Sequence, residues 1–151
     1  MKKIKLIFLD IDGVLINHES CMDRTFRNKP HPKCVAALNR LLELSGAWII
    51  VSSSWRLGRT RIELCALLNE WGVTPGHVLD RTGQTSLGDR RGDEIREWLK
   101  ACNDRGRYEI ESFIILDDET DMLEFLPRLV KTSMDGGLTD AHVDLALEML
   151  K

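Results

Sequence analysis

Three short apolar runs in this chain end in the same way. Ile4 to Leu9 runs into Asp10-Ile11-Asp12-Gly13, Ala47 to Val51 into Ser52-Ser53-Ser54, and Phe113 to Leu116 into Asp117-Asp118. Each run is rich in β-formers and has no polar face, as expected of a strand buried on both sides of a sheet. Stretches of helical spacing separate them. Cys34, Ala37, Leu38, Leu41, Leu42 and Ser45 share one helix face, and Gly46 stops that helix. Residues 60 to 71 form a second helix stopped by Gly72, and Ile95, Trp98, Leu99 and Cys102 mark a third. A short strand near His77 to Leu79, a short helix after Asp118, a strand over Leu129 to Thr132 and a helix carrying Val143, Ala146, Leu147 and Leu150 complete the pattern. Strand alternating with helix predicts an α/β fold, a Rossmann-like parallel sheet with helices on both faces.

Bulk properties narrow the class. A chain of 151 residues, 43% of them hydrophobic, suits one domain (1–151) with a sizeable core, and no repeat or linker divides it. No apolar run approaches the roughly 20 residues that cross a bilayer, so no membrane is expected. Met1-Lys2-Lys3 with apolar residues behind it has the outline of a secretory signal, but Lys5 breaks the run and Asp10 and Asp12 close it. It reads as a strand, and the expected location is cytoplasmic. A net charge of −3 argues against broad attraction to nucleic acid or acidic lipid. Cys21, Cys34, Cys65 and Cys102 form no CxxC pair and have no metal-like spacing with the four histidines, so free thiols and no zinc site are expected. No stable protein partner is expected.

The chemistry collects at the strand ends. In open parallel sheets, ligands bind just beyond the carboxyl ends of the strands. Asp10 and Asp12, Ser52 and Ser53, and Asp117 and Asp118 would meet there. Carboxylates packed together repel, and their pKa values rise unless a cation joins them. Mg²⁺ is the natural one, because it takes hard oxygen ligands and keeps waters that a phosphate oxygen can replace. Asp10, Asp12, Asp117 and Asp118 are therefore the candidate metal ligands. Each segment alone could be a solvated turn, and the serines could simply cap a helix.

Asp10-Ile11-Asp12-Gly13-Val14-Leu15 resembles the first motif of the haloacid dehalogenase (HAD) superfamily. That resemblance implies that Asp10 attacks phosphorus to form an aspartyl-phosphate. Asp12 would protonate the leaving oxygen and then activate the hydrolytic water. The second motif is matched by Ile49-Ile50-Val51-Ser52, with Ser52 binding the phosphoryl group, helped by backbone N–H groups near Ser53. The third motif is a cation that neutralises the transferring group, assigned to Arg91 in Arg91-Gly92-Asp93-Glu94-Ile95, with Arg90 and Arg56 as alternatives in contact with substrate. The fourth is Ile114-Ile115-Leu116-Asp117-Asp118, with Asp118 the direct Mg²⁺ ligand and Asp117 behind it. Asp121 either supports that pair or favours the start of the following helix.

Ser52-Ser53-Ser54-Trp55-Arg56, Arg91 to Leu99, Ile115 to Glu119 and Gly137-Leu138-Thr139 further resemble the small HAD domains of the Swiss Army Knife RNA repair type, over nearly the whole chain. The 151 residues contain no ligase or kinase module of the kind that neighbours such domains in multidomain relatives. The intervals between motifs are too short for a large cap domain, which leaves residues 16 to 32 as a small flap. His18, Arg24 and Arg27 in that flap could touch substrate. Trp55 either packs against the sheet or stacks on a base, and Trp48, Trp71 and Trp98 are expected in the core. The implied function is that of a Mg²⁺-dependent phosphomonoesterase acting on a phosphorylated substrate, with polynucleotide terminal phosphates one candidate. The alternatives are a nucleotidase or small-metabolite phosphatase, and a catalytically idle phosphate-binding module.

Overall fold

The structure, a computed structural model, describes residues 1–22, 29–84 and 90–151. Five parallel strands form one sheet: β1 (Lys2–Leu9), β2 (Trp48–Val51), β3 (Val78–Arg81), β4 (Tyr108–Asp117) and β5 (Leu129–Lys131), in the order β3-β2-β1-β4-β5. The α-helices are α1 (His18–Met22), α2 (Pro32–Ser45), α3 (Arg61–Glu70), α4 (Arg91–Arg105) and α5 (Asp140–Met149). Two 3₁₀ turns, Ser54–Arg56 and Leu123–Arg128, follow β2 and β4.

Alternate residues of the central strands feed two separate cores. Ile7, Leu9, Ile49, Val51, Ile114 and Leu116 face α2, α3 and α5. Leu6, Phe8, Ile50 and Ile115 face the other way, toward Ile95 of α4 and toward Met122. Helices therefore cover both faces, as the strand composition required. The stops read from sequence also hold. Gly46 ends α2 at φ 66°, and Gly72, at φ 94°, follows Trp71, the C-cap of α3.

The apolar runs understate the strands. β4 begins at Tyr108, five residues before Phe113, because its first half alternates polar and apolar positions where its faces are only partly covered. An extra residue is accommodated there by a bulge, with Ile4 opposite Ile110 but Lys5 opposite Ser112. The segment expected as a flap contains α1, and Arg24 and Arg27 lie outside the described residues. Trp48, Trp71 and Trp98 are half-buried and pack on the margins of the two cores rather than inside them. All four cysteines are free thiols.

Candidate active site

Sheet order reverses at β1, whose neighbours are β2 on one side and β4 on the other. Crossovers leave that point in opposite directions, so a crevice opens at its carboxyl edge. The residue just past each strand is tied to its neighbour by a backbone hydrogen bond. Asp10 N–H donates to the Leu116 carbonyl, Ser52 N–H to that of Leu9, Thr82 N–H to that of Val51, and Thr132 N–H to that of Asp117, each at 2.9–3.0 Å. Five strands thus present Asp10, Ser52, Thr82, Asp117 and Thr132 side by side along one edge.

Asp10, Asp117 and Asp118 come together there, each offering a carboxylate oxygen, with all three oxygens within 4.8 Å of one another. Asp10 and Asp117 are buried, at 6% and 0% exposure. Burial pushes the Asp10 carboxyl above its ordinary range, opposed by Arg91 and the Ile11 N–H, while the Asp118 charge adds to the rise. Burial, followed by the charge of Asp10, raises Asp117 as well, against the Glu119 N–H and Arg91. Ile11 N–H donates to Asp10 Oδ1 at 2.8 Å and Glu119 N–H to Asp117 Oδ1 at 3.0 Å. Asp117 Oδ2 is buried and makes no hydrogen bond; the Arg91 guanidinium reaches it only at ion-pair distance. A crowded, under-satisfied set of hard oxygens is what a divalent cation relieves, so the three acids fit a metal site.

The loop after β1 brings Asp118 this close because Gly13 has no side chain. Gly13 has φ +82°, and a β-carbon there would lie 2.4 Å from Asp118 Cγ. Its carbonyl accepts a 2.5 Å hydrogen bond from Thr132 Oγ1, which joins the first loop to the end of β5. Asp12, expected as a fourth ligand, does not join the three acids. It is exposed, and its Oδ2 accepts a hydrogen bond from Trp55 Nε1 at 3.1 Å.

The three candidate arginines separate clearly. Arg91 enters the site, with Nε 3.5 Å from Asp117 Oδ2, and its Nη1 is buried without a partner. Arg56 turns into the fold. It is 4% exposed; Nε donates to the Thr82 carbonyl at 3.0 Å, Nη1 to the Ser53 carbonyl at 2.9 Å, and Nη2 to Glu94. That leaves it little donor capacity for substrate. Arg90 is exposed at the N-cap position of α4 and makes no side-chain cap.

Ser52 and Ser53 divide their work. Ser52 Oγ is buried beside the acids' strand with no partner, whereas Ser53 Oγ caps the 3₁₀ turn by accepting from Trp55 N–H at 3.2 Å. Asp121 settles between its two expected roles in a third way. Its Oδ2 accepts from Arg91 N–H at 3.0 Å and its carbonyl from Gly92 N–H at 2.9 Å, so it caps the preceding helix, α4, and fixes Arg91. His18 Nδ1 lies 3.2 Å from Asp135 Oδ1. Sequence reasoning missed Thr82, Glu94 and Thr132. The two threonines were hidden because charged residues precede them within their own short strands, Asp80 and Arg81 in β3 and Lys131 in β5.

The fold is the HAD-like α/β type, with no cap among the described residues, and HAD domains as a class act on phosphorylated substrates. The family described as the HAD domain in Swiss Army Knife RNA repair proteins matches residues 6–143, and the chain belongs to it. No curated protein matches the chain. No helix among the described residues is long and apolar enough to cross a membrane.

Proposed function

We propose that this chain, acting as a single domain, is a Mg²⁺-dependent phosphomonoesterase whose substrate is a phosphorylated RNA terminus. The observation that carries the chemistry is a set of buried polar atoms without a hydrogen bond at one edge: Ser52 Oγ, Thr82 Oγ1, Arg91 Nη1 and Asp117 Oδ2, the last in ion-pair range of Arg91 Nε alone. A fold leaves such groups unpaired at a cost of about 1–3 kcal/mol each, so their presence here supports an external oxyanion and cation as their partners.

Asp10 is the nucleophile, with its carboxylate oriented by the Ile11 N–H. It forms a bond to phosphorus as the ester oxygen departs. Asp12 gives that oxygen a proton, and afterwards takes one from the water that hydrolyses the aspartyl-phosphate. Ser52 and Arg91 hold the equatorial phosphoryl oxygens, and Arg91 offsets the charge that develops on them. Asp10, Asp117 and Asp118 would hold Mg²⁺, which supplies neutralisation of the phosphoryl charge. Arg90, exposed at the mouth, is available to a longer substrate, while Ser53 and Arg56 hold the β2 turn in shape. RNA is favoured by the family's description, and four free thiols favour a reducing, cytoplasmic setting.

The test is phosphate release by the purified protein from a 3′- or 5′-phosphorylated oligoribonucleotide, a mononucleotide, a sugar phosphate and a phosphopeptide, with Mg²⁺ and with EDTA. Oligonucleotide turnover above the others, lost with EDTA and in Asp10→Asn, is expected. Faster mononucleotide or sugar-phosphate turnover would replace the RNA assignment with a metabolite one. Phosphate binding without turnover on any of them would make the domain a binding module.

A further inference from the structure

Asp12 differs from the other acids of the site in how it is held. Its backbone is fixed by the turn around it, in which Gly13 N–H donates to the Ile16 carbonyl at 2.8 Å and Leu15 N–H to that of Ile11 at 2.9 Å. Its side chain, however, is exposed, and a free carboxylate in water samples several rotamers. Proton transfer needs one of them, within hydrogen-bond reach of the departing oxygen. Trp55 supplies the missing constraint through the 3.1 Å contact from Nε1 to Asp12 Oδ2.

The indole is itself held by two neighbours and by the turn that carries it. Its ring meets Trp71 edge-to-face at 5.1 Å, and the Arg59 guanidinium lies over it at 5.4 Å. Arg59 Nη1 also donates to the Trp55 carbonyl at 2.8 Å. Below, the 3₁₀ turn is anchored by Arg56, whose guanidinium binds the Ser53 and Thr82 carbonyls. The turn that presents Ser52 therefore also presents a rigid N–H to Asp12. Arg59 occupies one face of the ring.

We infer that Trp55 is a positioning residue for the proton transfer, holding Oδ2 of Asp12 so that Oδ1 is the oxygen that faces the leaving group. An indole N–H can only donate. The hydrogen of a protonated Asp12 is therefore favoured on Oδ1, because the carbonyl-type oxygen is the better acceptor for the indole N–H at Oδ2. As an Asp10 oxygen bonds to phosphorus and the P–O ester bond breaks, that hydrogen passes from Oδ1 to the departing oxygen. The carboxylate left behind keeps its hydrogen bond from the indole. The inference rests on the phosphatase reading above.

The test compares kcat/KM for two esters, because kcat/KM covers only the steps up to departure of the leaving group. 4-Nitrophenyl phosphate releases an anion that needs no proton; an alkyl phosphate releases an alkoxide that does. Trp55→Phe keeps a ring against Trp71 and Arg59 but removes the donor. It is expected to lower kcat/KM on the alkyl ester about tenfold or more and on the aryl ester about twofold or less. In an Asp12→Asn background the same change should have no further effect on the alkyl ester. Equal loss on both esters, or an undiminished loss in the Asp12→Asn background, overturns the inference in favour of a structural role. A rise in KM confined to oligonucleotides overturns it in favour of base stacking. Thermal melting checks the fold, and Trp55→Tyr, equally without an indole N–H, replaces Trp55→Phe if that variant is unfolded. Failure of the wild-type protein to hydrolyse either ester overturns both this inference and the phosphatase reading, whereas an active wild type with equal losses in the variant overturns this inference alone.

Discussion

A β-carbon added to Gly13 would come 2.4 Å from both Cγ and Oδ2 of Asp118. The two residues occupy one space, so the left-handed turn after β1 and the reach of Asp118 into the acid cluster are a single arrangement. Gly13→Ala should cost about 1–3 kcal/mol of stability through strain and overlap. It should also raise the Mg²⁺ concentration for half-maximal activity by about tenfold or more, because a displaced ligand weakens the metal. Urea unfolding and a Mg²⁺ titration of turnover measure the two effects separately.

The metal-free protein should lose stability as pH rises. Asp10 and Asp117 have folded-state pKa values above their ordinary 3.8, chiefly from burial. The native state therefore holds protons that the unfolded chain releases. Their contribution is fully present below about pH 4 and is lost as pH rises through neutrality. In EDTA the urea midpoint should fall between pH 4.5 and 8, by an amount equivalent to at least about 1.4 kcal/mol. Mg²⁺ should flatten that slope by taking the place of the protons, and Asp117→Asn should flatten it without metal.

Arg56 and Glu94 form an ion pair at 5% and 11% side-chain exposure. Burial lowers the Arg56 pKa and raises that of Glu94, each more than the partner's charge restores. Such a pair adds little net stability, yet breaking it leaves a buried charge alone. Arg56→Ala is expected to destabilise the fold by about 3–5 kcal/mol, and Arg56→Lys by a large part of that, since one ammonium cannot reach both carbonyls and Glu94. A substrate-contacting arginine would behave differently, raising KM while leaving the denaturation midpoint in place.

Asp121 accepts the first two N–H groups of α4, with its carboxylate on Arg91 and its carbonyl on Gly92. A β-carbon on Gly92 would lie 2.5 Å from the Met122 carbonyl, so the helix end and this loop are pressed together. Asp121→Ala removes the side-chain acceptor and should cost about 1 kcal/mol. Turnover should drop further than that loss of stability accounts for, as Arg91 drifts from Asp117. Arg91→Ala in the same background should then add less than it does alone.

The strand ends were legible because a buried parallel strand that stops in an acid or a hydroxyl delivers that group to the rim of the sheet. Asp10, Ser52 and Asp117 follow from that reasoning alone. Arginine placement was only partly legible. Arg56 and Arg91 are chemically identical, and what separates them is whether backbone carbonyls lie within reach, a property of the tertiary fold. Arg56 meets the carbonyl of Thr82, 26 positions away, whereas Arg91 keeps a free Nη1. Asp121 shows the same limit: its partner helix precedes it in the chain by 30 positions, so local capping logic looked in the wrong direction. For Trp55 the sequence speaks mainly of bulk, while the structure uses its single polar atom.

The strand order carries a consequence in time. β1 comes first in chain order among the described strands and sits at the centre of the sheet, but its neighbour β4 begins only at Tyr108. Asp10 therefore emerges more than a hundred positions before the acids that complete its cluster. A nascent chain that has reached Arg91 carries Asp10 and Ser52 but not yet Asp117 and Asp118, so the cluster of three acids is incomplete at that stage. The contacts that close the sheet are also the most distant in sequence, and such pairings form late in folding. The acid cluster is thus assembled only once the sequence-distant half of the sheet has joined β1.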